Sequence, residues 1–334
     1  MPVLGAAILL AALCFIKPPG GSPADVPIHR SDFLLNTFVD IAIYDSRDES
    51  ILDGAMALCR EYENRFSRTL SGSEVYRLNH REDATGTYPL SDDMTDLLAT
   101  ALYYCERSGG AFDITTEPLS SLWNFSGTSP SVPPAEAIEK ARKKVDYKKL
   151  RLDGTRSTLT FLDPGTSIDL GAIAKGYIAD QLKAYLLDSG VESAMINLGG
   201  NVLCVGSRPD GTPFTVGLQK PFADRNETFA RVEVSDLSVV ASGVYERHFV
   251  EDGKNYHHIL DPSTGYPYDN GLISVTILSE RSVDGDALST TCFSLGLSRG
   301  MELVESMDGV YACFIDEDYQ IHYSDGMEKF LRKD

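Results

Sequence analysis

Apolar residues at Val39, Ile41 and Ile43 alternate with other positions and predict a first strand over residues 33–44. The period then lengthens. Over 49–66, Ile51, Met56, Leu58 and Tyr62 fall near one face of an amphipathic helix. A second helix is predicted over 91–108, with Ser91 as N-cap and Gly109-Gly110 as its stop. Residues 130–134 read as a loop and 134–144 as a short helix whose basic end suits the helix dipole. Residues 150–162 read as a hairpin turning at Asp153-Gly154.

Further on, a helix opening at Asp169 runs to a stop at Ser189-Gly190. Strands are predicted over 193–205 (interrupted by Gly199-Gly200), 214–218, 229–234, 238–242 and 272–278. Helices over 284–297 and 298–307 precede two last strands, 310–315 and 320–323. No internal repeat or low-complexity tract interrupts this order. Helices and strands alternate irregularly, with several hairpins. The pattern predicts an α+β fold of mixed, largely antiparallel sheets packed with helices, not a doubly wound sheet.

Composition changes the picture in three places. Of 334 residues, 49 are acidic and 30 are Lys or Arg, a net charge of -19. Wrapping nucleic acid, or lying flat on an anionic membrane, is thereby excluded, whereas a phosphorylated substrate at one locally basic site is not. Residues 1–16 carry no charge and hold an apolar stretch of about fourteen residues, too short for a membrane span and suited to the core of an export signal. Leu10-Ala-Ala-Leu-Cys14, followed by a Pro/Gly-rich tether, resembles a bacterial lipoprotein processing site in which Cys14 is lipidated, although Leu13 is larger than usual before such a cysteine. The expectation is an export and tether segment, 1–27, an exported, periplasmic and lipid-anchored protein, and one domain over 28–334. The other cysteines (Cys59, Cys105, Cys204, Cys292, Cys313) are scattered without Cys-x-x-Cys pairing, so buried free thiols are expected, not zinc ligands or a disulfide framework.

Four segments carry candidate chemistry. The run from Asp169 to Asp180 puts a carboxylate, Gly171, small Ala172 and Lys175 within seven positions, then Gly176. A helix start with that inventory can hold a phosphate and a cation, and a helical glycine costs about 1 kcal/mol against alanine that something must offset. Gly109-Gly110 leads into Ala111, Phe112 and Asp113, whose carboxylate could accept from a base or ribose, or simply follow a helix stop. His258 sits before an apolar pair and an Asp-Pro turn; it is a candidate acid or base, or a structural histidine. Asp286 and Thr290 are four apart on a predicted helix and face one side, a carboxylate and a hydroxyl suited to Mg²⁺, or the first turn of a helix capped by Asp284.

Seven motifs in order resemble the ApbE family, the FAD:protein FMN transferases, from about Phe33 to Val310. They are Ala111-Phe-Asp-Ile-Thr; Pro118-Leu with Leu122-Trp123; the Asp169 run; Asn197-Leu-Gly-Gly-Asn; Ser242-Gly with Tyr245-Glu-Arg; His258-Ile-Leu-Asp-Pro with Thr264-Gly; and Asp286-Ala-Leu-Ser-Thr. The resemblance implies FMN transfer from FAD, the substrate, to a Thr or Ser hydroxyl of an acceptor flavoprotein subunit in an extracytoplasmic redox system, with AMP released. It implies Mg²⁺ held by Asp286, Thr290 and the Ala172 carbonyl. Asp169 and Lys175 would meet the nucleotide, and Ala111, Phe112 and Asp113 would line the adenosine pocket. Ser242 and Gly243 would sit near the flavin. His258, with Ile259 and Leu260 beside it, would activate the acceptor hydroxyl or position the phosphate. Near Thr69 many relatives carry a tyrosine that packs on FAD, a departure that implies weaker FAD retention or more hydrolysis. Leu35-Asn36-Thr37 departs slightly from the family's Met-Gly-Thr. Two other readings stay open at this point: a Mg²⁺-dependent FAD pyrophosphatase, and a non-catalytic flavin-binding lipoprotein.

Overall fold

The computed structural model describes residues 26–224 and 226–333; Cys14 and the export segment lie outside the described residues. The spine is an eight-stranded sheet. Its order is β1 (Ile28–Leu34), β2 (Thr37–Ile43), β6 (Ala194–Leu198), β7 (Asn201–Val205), β10 (Ser238–Gly243), β13 (Leu272–Ser279), β14 (Tyr311–Asp316) and β15 (Ile321–Tyr323). Every neighbouring pair in it is antiparallel. The α+β, largely antiparallel class expected from the pattern is therefore the observed one.

Both faces of this sheet are covered. On one lie α1 (Glu49–Phe66), α3 (Asp92–Arg107), α6 (Ala174–Asp188) and α7 (Ser282–Glu305), joined in a single core with Val39, Ile41, Ile196 and Val275. On the other, the hairpin of β8 (Phe214–Gln219) and β9 (Thr228–Val234) packs Phe214, Val216 and Val232 against Ala42, Cys204 and Leu278. Central β13 is consequently buried along its whole length, which is why it reads as an apolar run without clean alternation. A third, smaller cluster joins α4 (Glu117–Trp123), α5 (Ala135–Arg142) and the hairpin of β11 (His248–Glu251) and β12 (Lys254–His257) around Trp123. Strands β3 (Gly86–Pro89), β5 (Thr158–Phe161) and β4 (Leu150–Asp153) form a separate small sheet, and α2 (Glu74–Asn79) follows α1.

The structure corrects two expected elements. The strand predicted over 33–44 is a hairpin that turns at Leu35 and Asn36, with φ of 55° and 56°. Two left-handed residues make a tight turn whose twist suits the flanking strands, but apolar Leu34-Leu35 hides it from a periodicity argument. The helix expected to open at Asp169 opens at Ala174. Residues before it form a turn in which Gly171 N donates to Asp169 Oδ1 (2.9 Å) and Ala174 N to the Leu170 carbonyl (2.8 Å). An Asp-x-Gly turn competes with the helix for its own backbone donors. Helix α7 does break near the expected junction, at Gly296, whose φ of 77° is non-helical and kinks the chain between two helical segments.

All five described cysteines are buried and free. Burial pushes the Cys59 and Cys204 thiols up to about 12, so they pack as apolar side chains. Among the described residues no helix is long and apolar enough to cross a membrane.

Candidate active site

The glycine cost noted in the Asp169 run has a packing cause. A Cβ on Gly176 would lie 2.2 Å from the Ser282 carbonyl oxygen and 2.7 Å from Val283 Cα. Only a bare backbone lets α6 cross the start of α7 at that distance. Four residues on, Asp180 accepts from Ser282 N (2.8 Å) and Val283 N (2.9 Å), capping α7 from the neighbouring helix. Burial raises the Asp180 carboxyl, and those two backbone donors pull it back towards its ionised form.

This crossing aims Asp286, in the second turn of α7, at the start of α6. Its Oδ2 accepts from Gly176 N (2.9 Å), and Lys175 Nζ lies 3.2 and 3.3 Å from its two oxygens. The same ammonium donates to the Gly171 carbonyl (3.3 Å). Asp286 is buried, and the Lys175 side chain is about one-quarter exposed (27%), so this pair is only partly screened by water. On the next turn of α7, Thr290 Oγ1 is 3.1 Å and Ser289 Oγ 2.8 Å from Ser242 Oγ at the end of β10.

These oxygens answer whether a divalent cation fits. Asp286 and the Gly171 carbonyl converge on the Lys175 ammonium, so both groups already face a positive charge. Ala172 is the next carbonyl along, and the Thr290 hydroxyl lies one turn beyond Asp286. A carboxylate, a carbonyl and a hydroxyl are the hard oxygen donors Mg²⁺ takes, usually with waters and substrate phosphate completing the shell. Among the described residues no three His, Cys, Asp or Glu side chains are grouped to hold an ion.

Asp169 is tied to a residue that sequence reasoning missed. Arg68 Nε lies 3.3 Å from Asp169 Oδ2, and Arg68 Nη1 donates to Ser121 Oγ (2.8 Å) and stands 3.7 Å from Glu117 Oε1. Three segments far apart in sequence meet at that guanidinium. Nothing in the sequence signals it, because a lone arginine after a helix has no pattern. Thr69 beside it is exposed, its hydroxyl 3.2 Å from Ser67 Oγ.

The structure gives Asp113 a different surrounding from an open acceptor. One oxygen accepts from Thr115 N (2.7 Å) and Thr115 Oγ1 (2.6 Å), and the other from Tyr147 N (2.8 Å). Burial raises its carboxyl while those donors lower it. In this state it organises the turn that holds Ala111 and buried Phe112 in place. The Ala111 carbonyl accepts from Tyr268 Oη (2.9 Å), and Tyr268 N donates to the Ile259 carbonyl (3.0 Å), which links the Ala111 turn to His258, Ile259 and Leu260. Gly243 is packed under an aromatic: a Cβ there would meet Tyr245 at 2.6 Å.

His258 follows β12, and its N–H donates to the Arg247 carbonyl (3.1 Å). The ring is part-buried, and Nδ1 is buried without a hydrogen-bond partner among the described residues. Burial first, then the positive charges of Arg247, His257 and Lys175, pushes its pKa down to about 3. The imidazole is therefore neutral at pH 7, with its lone pair available for a hydrogen bond. The loop beyond it is held by Asp261, which accepts from Ser263 N (2.8 Å), and by Trp123 Nε1, which donates to the Gly265 carbonyl (2.8 Å).

His257 points the other way and is structural: its Nε2 is 2.9 Å from the Tyr268 carbonyl, and burial lowers its pKa to about 4. The unfolded chain takes up that proton near 6.5 and the folded one only near 4. Stability from this residue is therefore complete above 6.5 and is lost as pH falls towards 4. The melting temperature should drop over that window, and His257→Gln should drop less steeply; equal slopes in a pH series of melts would refute the assignment.

An ammonium held between a buried carboxylate and a carbonyl, with a neutral imidazole close enough to feel its charge, is an arrangement that a phosphate ester can meet. That defines the class: an α+β enzyme of group transfer. The chain belongs to the ApbE family, whose profile matches residues 35–315. It is 37% identical over 293 residues to an FAD:protein FMN transferase of Klebsiella pneumoniae, covering 87% of this chain and 90% of that one. An FAD:protein FMN transferase of Treponema pallidum is 32% identical, with 97% and 94% covered. Among solved structures, the ApbE protein of Thermotoga maritima superposes with a TM-score of 0.83 at 32% identity, covering 92% of this chain and all of that one (100%). The flavin transferase ApbE of Vibrio cholerae gives 0.81 at 27% identity, with 91% and 99% covered.

Proposed function

We propose that this chain transfers FMN from FAD to a Thr or Ser hydroxyl of an acceptor protein and releases AMP, with Mg²⁺ as its metal. The observation that carries the reading is the Lys175 ammonium held between Asp286 and the Gly171 carbonyl. Asp286, Thr290 and the Ala172 carbonyl would hold Mg²⁺. When bound, the ion supplies positive charge to the pyrophosphate oxygens. Lys175 and Asp169 orient the nucleotide, and the α6 N-terminus adds a partial positive charge. Neutral His258 accepts the proton of the attacking hydroxyl. Ser242 and Gly243 face the flavin end, and Ala111 and Phe112 the adenosine end. Residues 1–27 are an export and lipoprotein segment on this reading, with Cys14 as the anchor and an extracytoplasmic redox flavoprotein subunit as the acceptor.

A second reaction, hydrolysis of FAD to FMN and AMP, is favoured by one observation: Thr69 offers no aromatic face to the substrate, so the flavin end is held less tightly against water. One assay separates the two. The protein is incubated with FAD, Mg²⁺ and a threonine-bearing acceptor, and the products are read by fluorescence on a denaturing gel and by AMP release. Flavin bound to denatured acceptor is the expected result. Free FMN with unlabelled acceptor would leave only the hydrolase, and no AMP at all would end both readings.

A further inference from the structure

We propose that Arg247 is a catalytic residue of the flavin-transfer site: its guanidinium holds the non-bridging oxygens of the phosphorus under attack, beside His258. The inference rests on the flavin-transfer reading and adds to it a residue for the charge that builds up during the step.

The placement comes from strand register. In the β11–β12 hairpin, His248 pairs with His257 and Phe249 with Tyr256. The hydrogen bond from His258 N to the Arg247 carbonyl (3.1 Å) continues that ladder by one pair. Residues directly opposite on antiparallel strands project to the same face with Cβ atoms about 5 Å apart. Arg247 and His258 are therefore side-by-side neighbours, and the depressed basicity of His258 agrees with a positive charge there.

The charge of Arg247 is also uncommitted. In a chain with 49 acidic residues against 30 Lys and Arg, several guanidiniums are held by carboxylates. Arg65 meets Asp93, Arg68 meets Asp169 and Glu117, and Arg142 meets Glu139. Arg247 is exposed and, among the described residues, has no carboxylate partner. Lys175, by contrast, shares its charge with Asp286. An exposed, unpaired guanidinium beside a proton acceptor is the fork geometry that grips two oxygens of a phosphate at once.

The acceptor hydroxyl oxygen forms a bond to the FMN phosphorus as the bond from that phosphorus to the bridging oxygen breaks. The hydroxyl proton passes to His258, and AMP leaves with the electron pair of the broken bond. Negative charge is spread over the non-bridging oxygens on the way, and a donor aimed at it acts most in the transition state.

Arg247→Ala should lower the kcat of acceptor labelling by about 100-fold, Arg247→Lys less, and FAD affinity should change by less than tenfold. Added guanidinium ion should restore part of the Arg247→Ala rate and leave the wild type unaffected. A kcat within about twofold of wild type, or a loss that guanidinium does not relieve and that a lowered melting temperature accompanies, would overturn the proposal. The wild-type arm keeps the two readings apart. If wild type labels no acceptor, the flavin-transfer reading fails; if it labels and Arg247→Ala labels equally fast, only the role of Arg247 fails.

Discussion

Asp286→Asn is expected to lower the rate of acceptor labelling by on the order of a thousandfold with a much smaller effect on the fold. The carboxylate receives Lys175 Nζ on both oxygens and Gly176 N on one. Asparagine keeps the shape and one acceptor, so Gly176 N retains a partner. The negative charge goes, and the Lys175 ammonium is left beside a neutral amide. A lone ammonium in a part-buried site turns towards water or towards the substrate phosphate, and the oxygen set that would receive a divalent ion loses its only charged member. Single-turnover labelling with FAD in excess, alongside a thermal melt, separates chemistry from folding. Activity within tenfold of wild type would remove Asp286 from the centre of the site.

Gly176→Ala is expected to disrupt both stability and activity. A methyl group there falls 2.2 Å from a backbone oxygen and 2.7 Å from a backbone carbon of α7. Neither atom belongs to a flexible side chain, so the helices must separate. Overpacking of this kind costs typically about 1–3 kcal/mol and more where backbone is met. Separation also pulls Ser282 N and Val283 N away from Asp180, and Asp286 away from Lys175. Since alanine favours a helix by about 1 kcal/mol over glycine, a melting temperature unchanged or raised would show that the crossing is looser than these distances require. Gly171→Ala is the control: its Cβ would meet only Asp169 Oδ1, at 3.1 Å, on a side chain that can shift.

Much of the candidate site was legible because its motifs are local. Asp169, Lys175, His258 and Asp286 each stood out by a glycine or a turn beside them, and the structure brings Lys175 and Asp286 into contact across a sequence separation of 111. Asp286 and Thr290 share a helix face as four-residue spacing demands. Other features left no such trace. Arg68 is defined only by the three segments it bridges. Arg247 lies at the edge of a hairpin that the alternation did not reveal, because its strands are four residues each and carry His, Glu, Lys and Asn among their aromatics. The role of Asp180 as a cap exists only because a different helix starts beside it.

By itself the sequence determined what depends on near neighbours: the helix over Glu49–Phe66, the Ser91 cap, the glycine stop at 109–110, the break near Gly296, and the α+β, antiparallel character that follows from many short elements joined by turns. It also carried the family resemblance, because seven short motifs keep their order. The tertiary structure alone decided which of those motifs touch. It placed Gly176 against the α7 backbone, paired Lys175 with Asp286, turned both Asp113 oxygens inward, and put His258 where burial and neighbouring positive charge disfavour its charged form. The physical reason is that propensity and periodicity act over a few residues, whereas close approach, ion pairing and desolvation are properties of the packed chain.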